Sequence, residues 1–207
     1  MIADKNVPRI INSRIGKLDK EMLEEAQLLA FDYNLPGFNL YTYGDSGAYD
    51  LTVPALWIVS NCFSNVVHVD SADKTKTTYT AWWQARHHDE TGQWTLADNE
   101  TDQNKVQNGA FLIPSLGLGI NLQKMCGQGF VEATFQAKSH YHVTTASEQA
   151  PGYTRHGLGV AVTSRQVNTA VLAHHRRPYI SLPQSPLAHP LHQIAINLRG
   201  QIHGRQG

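Results

Sequence analysis

Two histidines, a carboxylate and an arginine, in a fixed order, are the residues of this chain whose types and spacing could do chemistry. His68 and Asp70 stand two apart in His68-Val69-Asp70. His142 follows 74 residues later in Ser139-His140-Tyr141-His142-Val143-Thr144-Thr145, and Arg155 comes thirteen residues after that. Two imidazoles and one carboxylate form the donor set of non-haem Fe(II) oxygenases, in which three protein ligands on one face leave the other coordination positions open for cosubstrate and dioxygen. On a regular strand His68 and Asp70 point to the same face and can grip one ion. A lone His-x-Asp is a weak signal in a chain with eleven histidines, and it gains weight only from its context. Here an apolar run precedes it, and short strand signals, a second histidine and a basic residue follow.

Other readings of the same residues stay open. His140 lies two residues from His142, on the same side of a strand, and is a rival ligand. Arg165 is the rival of Arg155. His68 and His142 can also be read as satisfied core histidines, with Asp70 as a turn former before Ser71-Ala72-Asp73. The adjacent pairs His87-His88 and His174-His175 are poor chelates and read as surface residues.

Strands must bring such distant residues together, and the chain supplies them. From Val53 onward short apolar runs are bounded by Gly, Pro, Asn and Ser. The strand candidates are 55–59, 77–83, 110–113, 116–122, 130–135 and 157–163. Many short strands at close spacing predict a β-barrel or jelly roll. An amphipathic helix is predicted over 16–31, with Met22, Leu23 and Leu29 on its apolar face, ending before Asn34-Leu35-Pro36-Gly37. A second helix is predicted from Ser164, as its cap, to His174. Trp82 and Trp83 alternate faces, so one is expected in the core while the other lines a pocket.

Length and charge bound the rest. At 207 residues and 41% hydrophobic content, one domain with one core is expected. We place it at residues 1–177, with 178–207 as a loosely ordered, proline-interrupted basic tail. No run approaches the roughly 18 apolar residues of a membrane span. The opening segment lacks the apolar centre of a secretory signal, so an intracellular protein is expected. Cys62 and Cys126 suit an ordinary reduced protein rather than a disulfide scaffold. Net charge is zero, yet all 17 acidic residues lie at or before Glu148. The last 59 residues carry six arginines, six histidines and no carboxylate. Such polarity suits a nucleic-acid-facing side, or simply charges that neutralise each other within one fold. The stretch from His87 to Asp102 reads as a solvated acidic loop.

Four blocks in order resemble a known family. They are Phe63-Ser64-Asn65-Val66-Val67-His68-Val69-Asp70, Tyr79-Thr80-Ala81-Trp82-Trp83, Gly109-Ala110-Phe111-Leu112-Ile113-Pro114-Ser115-Leu116-Gly117-Leu118, and Tyr141-His142-Val143-Thr144-Thr145. Together they resemble the Tet-like 2-oxoglutarate and Fe(II)-dependent dioxygenase domains that are numerous in basidiomycete fungi, over roughly residues 50–175. These are relatives of the ten-eleven-translocation methylcytosine oxidases and of the thymine hydroxylases of base J synthesis. The resemblance implies a mainly β fold with flanking helices, a double-stranded β-helix or jelly roll whose mouth holds the iron. It implies His68, Asp70 and His142 as catalytic metal ligands, His142 being preferred to His140 for its Tyr-His-x-Thr context. It also implies Arg155 as the residue that binds the far carboxylate of 2-oxoglutarate, a task suited to a planar guanidinium fork.

The activity so implied is oxidation of a methylated base in DNA, with RNA also open, in the nucleus. 5-Methylcytosine is the first candidate, and N6-methyladenine or thymine the next. Dioxygen and 2-oxoglutarate are the cosubstrates and Fe(II) the metal. A base inside a duplex must be flipped out to be reached, so a stacking aromatic is expected, with Trp82, Trp83 and Tyr141 as candidates. Two other classes remain: an oxygenase acting on a protein or small molecule, and a catalytically inactive jelly roll that binds a partner. Only 67 residues precede His68, fewer than is common in the family, so a fragment, a shortened paralogue or an inactive remnant is also among the expectations.

Overall fold

The computed structural model describes residues 6–33, 35, 57–98, 101–126 and 129–176. They fall into two compact units. The first is drawn from Met1–Ala55 and Ala161–Gly207, the second from Leu56–Val160. The expected tail at 178–207 lies outside the described residues.

Three helices form the described part of the first unit: α1 (Asn6–Leu18), α2 (Lys20–Asp32) and α4 (Ser164–Arg176). The single helix expected over 16–31 is therefore two, broken at Asp19. Asp19 leaves helical geometry at φ −150° and ψ 92°, and its side chain accepts a hydrogen bond from the Met22 amide. A short carboxylate at that place caps a new helix start more favourably than it continues an old one. Ile15 and Met22 are sealed from solvent, and Gly16 lets the Leu23 side chain approach. α4 starts where expected, but Thr163 caps it rather than Ser164. The Thr163 hydroxyl accepts from the Gln166 amide, and the Gln166 side chain accepts from the Thr163 amide at 2.8 Å. This Thr-x-x-Gln reciprocity satisfies two helix-end donors at once.

The second unit is antiparallel β throughout. Its main sheet runs β1 (Trp57–Val59), β10 (Tyr153–Val160), β2 (Thr78–His88), β3 (Gln93–Leu96), and β7 (Val131–Phe135) also pairs with β2. β10 lies along one edge of β2. The other edge is shared, β7 pairing with its first half and β3 with its second. A second sheet is β6 (Leu118–Asn121), β5 (Ala110–Ile113) and β8 (Val143–Thr144). A separate ribbon pairs β4 (Val106–Asn108) with β9 (Ser147–Gln149), and a short helix α3 (Leu122–Cys126) follows β6. These antiparallel sheets form a jelly roll that does not close into a barrel.

The core lies where the two sheets face each other. Trp82 of β2 and Val131 of β7 pack with Phe111 and Ile113 of β5 and with Leu122 and Cys126 of α3. Trp82 and Phe111 rings sit 4.7 Å apart. Strand alternation places Trp82, Gln84 and Arg155 on this inner face, because Arg155 is the register partner of Gln84. Trp83 points the other way, where it meets Phe130 and His156.

Two local expectations are corrected here. The region from His87 to Asp102 is largely exposed, as expected, but it is not all loop, since it contains the end of β2 and the whole of β3. Asp102 is buried and accepts a hydrogen bond from the Tyr153 hydroxyl at 2.8 Å, as well as one from the Asp98 amide. Acidic composition suggested solvent, but hydrogen bonds of this kind hold a carboxylate inside. The last strand also begins earlier than 157, at Tyr153, so Arg155 stands within β10 rather than leading into it.

Candidate metal centre

The metal-ligand candidates come from two short irregular segments of the second unit. His68 and His142 form an isolated antiparallel bridge, each amide donating to the other's carbonyl at 3.1 and 2.9 Å. Asn65 fastens the same segments above it. Its amide donates to Thr144 O, and its side-chain oxygen accepts from the Thr144 amide at 2.7 Å. Below it, the Asp70 amide donates to Ala137 O. Thr144, two residues from His142, is paired with Phe111 in the second sheet, so the bridge hangs from regular structure.

This scaffold brings His68, Asp70 and His142 together, with one ligand atom from each lying within 4.8 Å of the others. Asp70 is straddled. Its Oδ1 lies 3.5 Å from His68 Nε2, and its Oδ2 lies 3.5 Å from His142 Nε2. Both rings are oriented from behind. His68 Nδ1 donates to Val66 O at 2.8 Å, and His142 Nδ1 donates to His140 O at 3.0 Å. A neutral imidazole that gives its Nδ1 proton to a carbonyl presents the Nε2 lone pair on its other side, the arrangement that metal-binding histidines use. Bonds of about 2.1 Å at right angles put neighbouring donors about 3 Å apart. The two 3.5 Å separations, to different oxygens of Asp70, exceed this by about half an ångström, and with all three donors within 4.8 Å of one another a modest closure gathers them around a divalent ion.

His142 is buried among aromatics, with the Phe135 ring 4.9 Å and the Phe111 ring 6.0 Å away. Burial alone would push its pKa down. The hydrogen bond with Asp70, the His140 carbonyl and the charges of Asp70 and Asp73 outweigh that, and the pKa is raised. The hydrogen bond with His142 is the main cause holding Asp70 below the ordinary carboxylate range, helped by the charges of both histidines against the cost of burial. Asp73 behaves oppositely. Burial first, and the charge of Asp70 second, push it up to about 6, although the Thr78 hydroxyl donates to it.

Arg155 is 2% exposed. Its Nη2 donates to Ser147 Oγ at 2.7 Å and its Nη1 to Asn108 O at 3.3 Å. Among the described residues no carboxylate pairs with it, and burial lowers its pKa. A desolvated guanidinium with only neutral acceptors is an unfinished ion pair, and an anion is the ligand that completes it.

The rival residues are not among the three clustered donors or the arginine's partners. His140 contributes its carbonyl to the His142 ring, and Arg165 is exposed on α4. Of the aromatics considered for stacking, Trp82 is in the core and Trp83 is on the opposite face of its sheet. Tyr141 is 56% exposed beside His142. Residue patterns did not point to Asn65, Ser147 or Gly109. The Asn108-Gly109 dipeptide is the one available signal, because it marks a left-handed turn between apolar runs.

A family model, that of the Tet-like 2OG-Fe(II) oxygenase superfamily, matches residues 4–147. The match spans more than half of the chain, takes in His68, Asp70 and His142, and ends before Arg155. A search of curated proteins found no match.

Proposed function

The chain belongs to the Tet-like 2OG-Fe(II) oxygenase superfamily, and from that premise we propose that it oxidises a methylated base in DNA, with 5-methylcytosine as the first substrate and N6-methyladenine or thymine as the next. The family uses Fe(II), 2-oxoglutarate and dioxygen. The observation that carries the proposal for this chain is the convergence of His68, Asp70 and His142 in the same compact unit as a buried arginine that has no carboxylate partner among the described residues. In this reading the three residues hold the iron, and Arg155 binds the far carboxylate of 2-oxoglutarate. The match over residues 4–147 runs through parts of both compact units, and in this reading residues 1–177 form one dioxygenase domain.

When bound, ferrous iron with 2-oxoglutarate and dioxygen supplies the oxidising power to hydroxylate an unactivated C–H bond, coupled to decarboxylation of the keto acid. The protein's own residues do the positioning. Val66 O and His140 O fix the tautomer of the two rings. Asp70, held ionised, contributes one negative charge to the site. Phe111 and Phe135 keep the floor beside His142 apolar, which limits access of water to the reaction. Tyr141, exposed next to His142, offers a face on which an extruded base can stack. A nuclear location follows from a DNA substrate.

The test is anaerobic calorimetry of Fe(II) and then of 2-oxoglutarate, followed by incubation with 5-methylcytosine, N6-methyladenine and thymine oligonucleotides and mass analysis of the bases. We expect one equivalent of iron, cosubstrate binding that depends on iron, and an added oxygen on one of the three bases. Tyr141→Ala should raise KM for the oligonucleotide while leaving 2-oxoglutarate affinity unchanged. Cosubstrate turnover with no oxidised base in any oligonucleotide would overturn the DNA reading. No iron binding would overturn the enzyme.

A further inference from the structure

The ribbon of β4 and β9 belongs to neither sheet, and its end residues converge on one side chain. Asn108 and Ser147 are register partners across that ribbon. They are also the two acceptors of the Arg155 guanidinium. The next residue, Gly109, completes the enclosure. A Cβ built on Gly109 would lie 2.4 Å from Nη1, 2.6 Å from Nη2 and 2.9 Å from Cζ of Arg155. The guanidinium thus occupies the space that any other residue's side chain would take.

The backbone there is set in advance. Asn108 and Gly109 both have positive φ, 61° and 83°. Glycine reaches that region without strain, and asparagine tolerates it better than most residues. Three further backbone groups around the turn have partners of their own. The Asn108 amide donates to Gln123 Oε1 at 2.8 Å, and Gly109 O accepts from the Leu122 amide at 3.1 Å. Ala110, next in line, donates to Thr145 Oγ1 at 2.7 Å. The turn is therefore anchored to α3 and to the segment after β8, independently of the arginine.

We propose that the Asn108-Gly109 turn, with Ser147 across the ribbon, is a preformed cradle that sets the position of the Arg155 guanidinium, so that Gly109 and Ser147 are positioning residues for the dicarboxylate cosubstrate. This rests on the reading of Arg155 as the cosubstrate's carboxylate site. The physical gain is preorganisation. A flexible arginine must lose side-chain freedom when it binds a carboxylate, whereas one already held by two acceptors and a shape-matched backbone has lost it on folding. The cradle also fixes the distance between the guanidinium and the metal ligands, and so selects among keto diacids by chain length.

Gly109→Ala drives a Cβ against the far end of the arginine and also strains a backbone at φ 83°, so it is read only at unchanged iron stoichiometry and beside a variant that leaves the backbone alone. Ser147→Ala is the companion variant, since it removes one acceptor without altering backbone conformation. Both are to be compared with wild type and with Arg155→Lys in calorimetric titrations of iron and 2-oxoglutarate, with oxaloacetate, one carbon shorter, as a second ligand. We expect 2-oxoglutarate Kd to rise at least tenfold in Gly109→Ala and severalfold in Ser147→Ala, at unchanged iron stoichiometry. The preference for 2-oxoglutarate over oxaloacetate should shrink in both. If Arg155→Lys weakens 2-oxoglutarate binding while Gly109→Ala and Ser147→Ala bind as wild type, the cradle is refuted and the Arg155 reading survives. If Arg155→Lys itself binds 2-oxoglutarate as wild type does, the parent reading fails, and the cradle's role in cosubstrate binding fails with it. Loss of iron from Ser147→Ala would also overturn the proposal, because it would make the ribbon a support of the whole unit.

Discussion

Replacing Arg155 by methionine separates a binding arginine from a structural one, because the two roles predict different effects on stability and on cosubstrate affinity. In the free protein the guanidinium is buried against Ser147 Oγ and Asn108 O, with no carboxylate partner among the described residues. Exchanging a buried ion for an apolar side chain of similar size typically gains about 1–4 kcal/mol. Against this, the short bond to Ser147 is worth about 1.5–3 kcal/mol and the long bond to Asn108 about 0.5–1 kcal/mol. The two ranges overlap, so Arg155→Met should change apo stability by no more than about 3 kcal/mol in urea unfolding. Cosubstrate binding should respond far more. Removing one partner of a desolvated charge pair costs about 2–5 kcal/mol, which at 1.4 kcal/mol per decade raises Kd for 2-oxoglutarate roughly 30- to 4,000-fold. Calorimetry of the iron-loaded variant measures the second quantity. An apo protein destabilised by more than about 3 kcal/mol together with an unchanged Kd would refute the reasoning and make Arg155 a structural residue.

Four further outcomes are expected. His142→Ala should abolish iron binding while His140→Ala preserves it, since His140 contributes only a backbone carbonyl to the neighbouring ring; elemental analysis of protein loaded anaerobically decides this. Saturating iron should slow amide exchange at His68, Asp70 and His142, whose amides close the contacts between the two segments, and at 100-fold over Kd it should add about 2.7 kcal/mol to stability. Exchange that stays unchanged there would place the ion elsewhere. Cys126, whose thiol burial pushes up to about 12, should resist a disulfide reagent at pH 8 in the folded protein and react after unfolding, because the thiolate is the nucleophile. His156 is depressed below 6.5 by burial, against an opposing hydrogen bond with the Val59 backbone. Between its folded value and 6.5 the unfolded chain binds a proton that the folded one does not, so its contribution to stability falls as pH drops through that window. In His156→Gln that part of the pH–stability curve should flatten.

The parts of the site legible in the sequence were those whose side chains carry the chemistry. His68-Val69-Asp70 and Tyr141-His142 announce themselves by residue type, and the jelly roll by its many short apolar runs. The spacing argument named three residues that the structure brings together, but for an incomplete reason. His68 and Asp70 share no regular strand, because the bridge at His68 is a single residue pair and Asp70 opens a turn in which the Asp73 amide donates to its carbonyl. Convergence comes instead from three tertiary anchors: Asn65 to Thr144, His68 to His142, and Asp70 to Ala137. Each joins residues more than sixty positions apart, and no local pattern encodes such pairs. The same holds for β3, where Gln93–Leu96 lies among charged residues and becomes a strand because the second half of β2 offers it an edge.

The cradle around Arg155 escaped the sequence for a different reason, which bears on how the two halves of the site are built. The proposed metal ligands are polar side chains with donor atoms, and an ion that fits would draw them together. A carboxylate site cannot rely on that, because one guanidinium faces one carboxylate and orientation errors go uncorrected. The fold compensates with regular structure. Arg155 sits within the eight-residue β10, between β1 and β2, and its head rests on a hydrogen-bonded ribbon. What makes that seat is a missing side chain at Gly109, a carbonyl at Asn108 and a single hydroxyl at Ser147. A glycine and a backbone carbonyl have no chemical signature in a sequence. They acquire meaning only when a strand 47 residues on from Asn108 delivers the guanidinium against them.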